Sequence, residues 1–193
     1  MIQYFRNNNH STIEVDHPQD AEWINVLPPL KQEEFSDLSE ELHIPIDFLT
    51  DSLDIDERSR FEKEDNVRLI VIKTPTENNS FNESDAYYIT IPICIILTHN
   101  QILTVNSFEN TAIKKFLNTF QNRNADKKNM MVLKIFEKVV QNFMEHLKEI
   151  NQRRNVFEQK LYDASKNEHL LELMRIQKSL VYFVTALRSN ELL

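Results

Sequence analysis

The sequence predicts an α/β chain (α+β in its order of elements): a mixed β-sheet sandwiched by helices, followed by a long C-terminal helical hairpin. Three observations carry this. Short β-branched runs such as VRLIVIK, IPICIIL and ILTV are spread over the first 110 residues. Amphipathic stretches lie between and after them. From Met130 to Leu193 there is neither proline nor glycine, and helical periodicity persists throughout.

In order, IQYFR and AEWINVL read as short strands with polar turns between them. In PPLKQEEFSDLSEELHI, residues Leu30, Phe35, Leu38 and Leu42 fall at helical spacing, and Pro29 suits the first helical turn. PIDFLTDSL reads as a second short helix opening at Pro45. VRLIVIK and AYYITIPICIILT are strands, and Pro92 in the latter predicts an edge position, a bulge or a strand boundary. THNQ is a turn to the strand ILTV, a hairpin partner. ENTAIKKFLNTFQNR is an amphipathic helix. Then Phe136, Val140, Phe143, Leu147, Ile150, Phe157 and Leu161 form a seam with steps of three, four or seven. At SKNE, residues 165–168, a capping box marks a new helix start, so two long helices are expected. This divides the chain into an α/β domain, 1–125, and long antiparallel helices, 126–193. The helical pattern runs to Leu193 with no capping residue, so the natural chain is expected to continue.

Composition excludes several chemistries. The 193 residues contain no glycine, where average usage of ~7% would give about a dozen. P-loops, dinucleotide fingerprints, nucleophile elbows and standard calcium loops all need glycine for tight or close backbone. With no such motif and no ligand triad, an enzyme is not expected. Turns must use Asn, Asp, Ser and Pro, as the runs at 7–9 and 78–79 suggest. The single cysteine, Cys94, reads as a small buried hydrophobe. The six histidines (10, 17, 43, 99, 146, 169) are scattered, with no close pair for zinc. The start MIQYFRNNNH has no apolar signal core, and no apolar run approaches the roughly 20 residues of a membrane span. A soluble, cytoplasmic setting is expected.

Charge is unevenly distributed. Residues 1–110 hold 21 acids and 7 bases, net −14; residues 111–193 hold 9 acids and 15 bases, net +6. Neither half suits nucleic acid. The acids concentrate in DFLTDSLDIDERSRFEKED, residues 47–65, with eight carboxylates and three bases. Asp47, Asp51 and Asp54 are spaced i, i+4, i+7 and would share a helical face, where oxygen ligands suit magnesium or calcium. Arg58 and Arg60 stand close enough to neutralise them. On composition alone, a solvated surface with local ion pairs outweighs a metal site.

The order of residues adds a resemblance. PIDFLTDSLDIDERSRFEKEDNVRLIVIKTP resembles the corresponding segment of the CorA-type magnesium and cobalt transport family. AEWINVLPP, IPICIILTHNQILTVNSFEN and QKSLVYFVTALRSNELL resemble that family's tryptophan strand, hairpin and Leu/Arg-bearing helix. The resemblance spans Trp23 to Leu193. It implies the cytoplasmic regulatory domain of a divalent-cation channel for Mg2+ or Co2+, at the cytoplasmic face of the cell inner membrane. It also implies a homopentamer whose membrane segments lie beyond this chain. Regulatory Mg2+ between neighbouring subunits would take Asp51 as one ligand and hold the closed state. Where the family's pattern can carry further acids, this chain has Thr50, Gln141 and Asn142, which tells against a second ion site. The alternatives are the equivalent domain of a zinc-transporting relative, or a soluble scaffold docking through its helical hairpin.

Overall fold

The computed structural model describes residues 1–8, 11–29, 31–79, 85–108, 110–120, 128–160 and 166–193. Seven strands form one mixed sheet in the order β2-β1-β3-β7-β6-β5-β4. They are β1 (Ile2–Asn8), β2 (Ser11–Val15), β3 (Trp23–Val26), β4 (Arg60–Glu64), β5 (Val67–Glu77), β6 (Tyr88–Leu97) and β7 (Ile102–Asn106). The β3–β7 pair is parallel; the other neighbours are antiparallel. The helices are α1 (Gln32–Leu42), α2 (Ile46–Thr50), α3 (Thr111–Phe120), α4 (Lys128–Lys160) and α5 (Lys166–Asn190).

The sheet lies between two helical layers, as the sequence predicts. On one face Val67, Leu69, Val71, Cys94, Ile96, Leu103 and Val105 pack with Phe35, Leu38, Phe48 and Leu49 of α1 and α2. On the other, Trp23, Ile72, Ile93, Ile95 and Ile102 pack with Phe116 of α3, Ile135 and Phe143 of α4, and Ile176 and Phe183 of α5. Successive strand residues alternate between the faces, and both faces are covered. The central strands therefore read as continuous apolar runs.

Trp23 is fully buried, stacked on Phe5 at 4.9 Å and edge-on to Phe116 at 5.0 Å. Its indole N–H donates to Thr104 Oγ1 at 3.0 Å, and Thr104 donates onward to Asn25 Oδ1 at 2.9 Å. A buried indole needs such a partner.

Pro92 sits inside β6 opposite Lys73, and β7 pairs with β6 only from Ile93 onward. At Pro92 the strand therefore has β5 on one side only. Lys73 turns its own N–H and C=O away from β6, to Asn190. The missing proline donor falls on the open side, where no ladder bond is lost.

Several local expectations shift. The first helix begins at Gln32 rather than around Pro29: Pro28–Pro29 is a cis bond, and the Lys31 N–H is capped by Glu34 at 2.7 Å. Leu30 lies outside the described residues. PIDFLTDSL breaks at Asp51 into a 3-10 turn, Asp51–Leu53, with Asp54 extended after it. The i, i+4, i+7 face of Asp47, Asp51 and Asp54 is therefore not one helical face.

RFEKE is an edge strand, β4, whose charged alternation blunts the sheet edge. Its two-residue turn to β5 places Asp65 at φ 49, and His43 ends α1 at φ 52. These left-handed positions ordinarily favour glycine; here Asp and His fill them.

On α4 the buried residues are Met131, Val132, Ile135, Val139, Asn142, Phe143, His146 and Ile150, whereas Val140 and Leu147 are exposed. Phe143 and Ile150 are buried as predicted and Phe136 packs half-buried against the core, whereas at Val140 and Leu147 the buried face lies one position away, where it includes the polar His146. Asn142 reaches Thr74 Oγ1 (3.2 Å) and the Pro75 carbonyl (2.8 Å); His146 meets Glu149 at 2.9 Å. The predicted seam residue Leu161 and the capping serine Ser165 lie outside the described residues.

Candidate functional site

The acidic stretch is held against the sheet by two anchors. Phe48 and Leu49 of α2 are fully buried, which fixes α2 and leaves Asp47 exposed with Asp51 half-buried. Burying two such side chains contributes roughly 3–6 kcal/mol. At the other end Arg60 opens β4, opposite Val71.

Between these anchors one guanidinium serves three carboxylates. Arg60 Nη2 meets Asp51 Oδ2 at 2.5 Å, Nη1 meets Glu57 Oε1, and Nε meets Glu62 Oε2 at 3.1 Å. One positive charge faces three negative ones, with Asp47 beside them. Asp51 has its pKa raised, first by burial and then by the charges of Glu57 and Asp47, which together outweigh Arg60. Arg60 has its pKa raised, because the three acids outweigh its own burial. The two directions agree physically: the cation gains from all three acids, while each acid receives only a share of it.

A second cation lies on the far side of the turn. Lys73 Nζ donates to the Ile55 carbonyl at 3.1 Å. Burial lowers its pKa, opposed by Asp56, Asp54 and Glu57. Asp54 itself bonds the Asp56 N–H at 2.9 Å, closing the loop without glycine.

The end of α5 clasps this region. Asn190 Nδ2 donates to the Lys73 carbonyl at 2.8 Å, and its Oδ1 accepts from the Lys73 N–H at 2.9 Å and from Ser59 Oγ at 2.6 Å. Ser189 Oγ accepts the Ser59 N–H at 3.0 Å. An asparagine amide thus stands where a further β4 residue would bond β5. It joins the residue before Arg60 to the last turn of a 25-residue helix.

The geometry therefore brings Asp51 together with Glu57 and Glu62 through Arg60, with Asp47 nearby. It leaves Asp54 and Asp56 on the outer turn and Asp65 at the far end of β4. Among the described residues no group of three His, Cys, Asp or Glu side chains is placed to hold a metal ion. The guanidinium occupies the centre of the carboxylates. Thr50 bonds back to the carbonyls of Ile46 and Asp47, Gln141 pairs with Glu137 and Lys138, and Asn142 is fully buried.

The family model described as CorA-like Mg2+ transporter protein matches residues 18–193. The chain belongs to this family. A curated relative, the cobalt/magnesium transport protein CorA of Methanocaldococcus jannaschii, is 26% identical over 173 residues, 87% of this chain and 52% of the relative. The chain thus spans about half the length of the curated relative it matches.

The complete structure of the M. jannaschii CorA magnesium transporter superposes with TM-score 0.83 at 21% identity. It covers 98% of this chain and 60% of that one. The soluble domain of the same protein gives TM-score 0.81 at 23% identity, covering 98% and 76%. The cytoplasmic domain of ZntB from Vibrio parahaemolyticus RIMD 2210633 gives 0.68 at 14% identity, covering 98% and 75%. The fold is thus that of the CorA soluble domain, and the family is one of transporters rather than enzymes. No helix among the described residues is long and apolar enough to cross a membrane.

Within this CorA-like frame, the tryptophan strand, the β6–β7 hairpin and α5 lie where the resemblance expects them. What sequence reasoning missed is the clasp: Ser59, Lys73, Ser189 and Asn190 carry no short-range signal, since Ser59 and Asn190 are 131 residues apart.

Proposed function

We propose that this chain is the cytoplasmic ion-sensing domain of a CorA-like divalent-cation channel, with Mg2+ as the default ion and Co2+ in the same class. Residues 1–125 form the sensing part, and 126–193 the helices that lead toward membrane segments at the cell inner membrane. The family match over residues 18–193 carries this reading. In it, homopentameric assembly sets the acidic face of one copy against a neighbour.

A single chain does not fit a metal by itself, because Arg60 already sits among its carboxylates. The fit is that of half a site. Asp51 Oδ2 is engaged by Arg60, and burial with neighbouring charge makes its ionised form costly. A dication shared with a carboxylate of an adjacent copy would offset that cost. The bound ion supplies positive charge across the interface. Asp51 supplies one oxygen ligand, and Arg60, Glu57 and Glu62 hold its orientation. Few protein ligands and a strongly hydrated ion make the affinity weak. Exposed apolar side chains along α5, Leu173, Leu180, Val184 and Leu187, suit packing against further helices.

The test is limited proteolysis of the full-length protein with and without magnesium. Magnesium is expected to protect the domain, and Asp51→Ala to remove most of that protection. Unchanged protection in the variant would remove Asp51 from the role.

A further inference from the structure

Away from the acidic cluster, at the end of the sheet where the β4–β5 and β6–β7 hairpins turn and α4 begins, lies a hollow of about 320 Å³. Its polar lining is Asn66, Arg68, Thr98, His99, Lys128 and Asn129. A second hollow of about 400 Å³ adjoins it and shares Asn66, Thr98 and His99.

The charge here is opposite to that of the surrounding domain. The Arg68 side chain makes no hydrogen bond or ion pair among the described residues, although residues 1–110 hold three acids for every base. Instead it faces like charge. Lys128 has its pKa lowered first by burial and then by the nearby charge of Arg68, and no carboxylate among the described residues counters them. Lys63 stands directly opposite Arg68 in the β4–β5 ladder, which puts both on one face of the sheet. Glu62 and Glu64 alternate to the other face.

Like charges set opposite one another destabilise a sheet. A chain with 30 acids and 22 bases could readily have placed an acid here. Lys128 is held in place by the carbonyls of Thr98 and His99, bonds that use its protons without neutralising its charge. It is also the first residue of the 33-residue α4. Two cations and neutral amides lining one concave site suit an oxyanion with several acceptor oxygens.

We propose that this hollow binds a phosphate group. Arg68 and Lys128 hold the charge, and Asn66, Asn129 and His99 set direction. The adjoining hollow, bounded by Glu41, is left for the uncharged remainder of a phosphate monoester. The site is independent of the Asp51 cluster and would stand if that role failed.

The test is a titration of the 15N-labelled 193-residue chain with inorganic phosphate against chloride at equal ionic strength. Amides of Arg68, Thr98–Asn100 and Lys128–Met130 should shift saturably with phosphate and not with chloride. Arg68→Gln should weaken binding about tenfold or more, from loss of one charge-assisted bond. The Arg68 side chain is exposed and unpaired among the described residues, so this variant should keep the buried-Trp23 fluorescence of the fold. Lys128→Gln should act likewise.

A second arm uses vesicles of phosphatidic acid in phosphatidylcholine. Sedimentation with these vesicles and not with pure phosphatidylcholine, lost in Arg68→Gln, would assign the phosphate to a lipid headgroup. Saturable inorganic phosphate binding with no vesicle preference would assign it to a free phosphate. Equal, unsaturable shifts in phosphate and chloride together with no vesicle preference, or an Arg68→Gln chain that titrates like the parent, would overturn the proposal.

Discussion

Truncating Asn190 to alanine is the sharpest probe of the clasp between α5 and the sheet edge. The side chain makes three hydrogen bonds, to the Lys73 carbonyl (2.8 Å), from the Lys73 N–H (2.9 Å) and from Ser59 Oγ (2.6 Å). The β4–β5 ladder stops at Arg60–Val71, so no backbone replaces the lost amide at Lys73. Each bond is worth about 0.5–1.5 kcal/mol net, and an orphaned backbone group adds desolvation cost. Lys73 and Asn190 are only half-buried, so water recovers part of this. A loss of about 2–3 kcal/mol results, a Tm drop of about 5–10 °C for a chain this size.

Urea unfolding read by the single, fully buried Trp23 measures it, with the midpoint falling at constant m. Ser59→Ala removes only one of the three bonds and should cost about 1 kcal/mol. The double variant should fall short of the sum, because the residues share a partner. An Asn190→Ala loss below about 0.5 kcal/mol, the range of ordinary surface substitutions, would mean that the clasp does not hold α5.

Two further outcomes follow from the acids and the thiol. Asp51 has a folded pKa above its unfolded value, so its contribution is fully present below about pH 4 and is lost as pH rises through the folded pKa. Asp51→Asn should therefore cost nothing, or gain slightly, at neutral pH, with the difference from the parent closing in acid; urea midpoints across pH check this. A loss above about 1 kcal/mol at pH 7 would show that the Arg60 pair outweighs burial. Cys94 is fully buried, and desolvation drives its thiol pKa far up. It should ignore an aromatic disulfide reagent in the folded chain and react once per chain in urea; rapid reaction without denaturant would contradict its placement on β6.

The layer architecture was legible because burial on both faces writes itself into the strands. VRLIVIK, IPICIIL and ILTV have no polar alternation to hide them. Strands β2 and β4 were not legible, since STIEV and RFEKE lie at the two sheet edges, where charge and polarity protect the edge and mask strand character. The α4 seam was read correctly at Phe143 and Ile150 and missed at Val140 and Leu147 for a related reason. Asn142 and His146 occupy core-facing positions; the Asn142 amide nitrogen donates to Thr74 and Pro75, and His146 meets Glu149. No hydropathy scale credits a polar residue whose partner is supplied 68 residues away. On α5 the packed face carries Ser179 and Ala186 between Ile176 and Phe183, while Leu173, Leu180 and Leu187 face outward, so apolar size alone does not mark the buried side. Ser179 is there to take the N–H groups of Tyr87 and Tyr88 on its hydroxyl.

The candidate site shows the same limit at closer range. Eight carboxylates and three bases in nineteen residues announce a charged surface, but not which base is central. Arg58 and Arg60 are equivalent on paper. The fold separates them: Arg58 stays exposed, while Arg60, as the first β4 residue, is fixed by its pairing with Val71 and points into the cluster. That choice has a consequence for the ion. With Arg60 inserted, the single chain already holds a cation among Asp51, Glu57 and Glu62, too few positive charges to satisfy them and too well placed to leave a vacant cage. A divalent ion gains most where a second carboxylate set raises the repulsion that Arg60 cannot offset. In the proposed assembly such a set would come from another copy of the chain. An ion response built on Asp51 would therefore belong to the assembly rather than to the isolated domain.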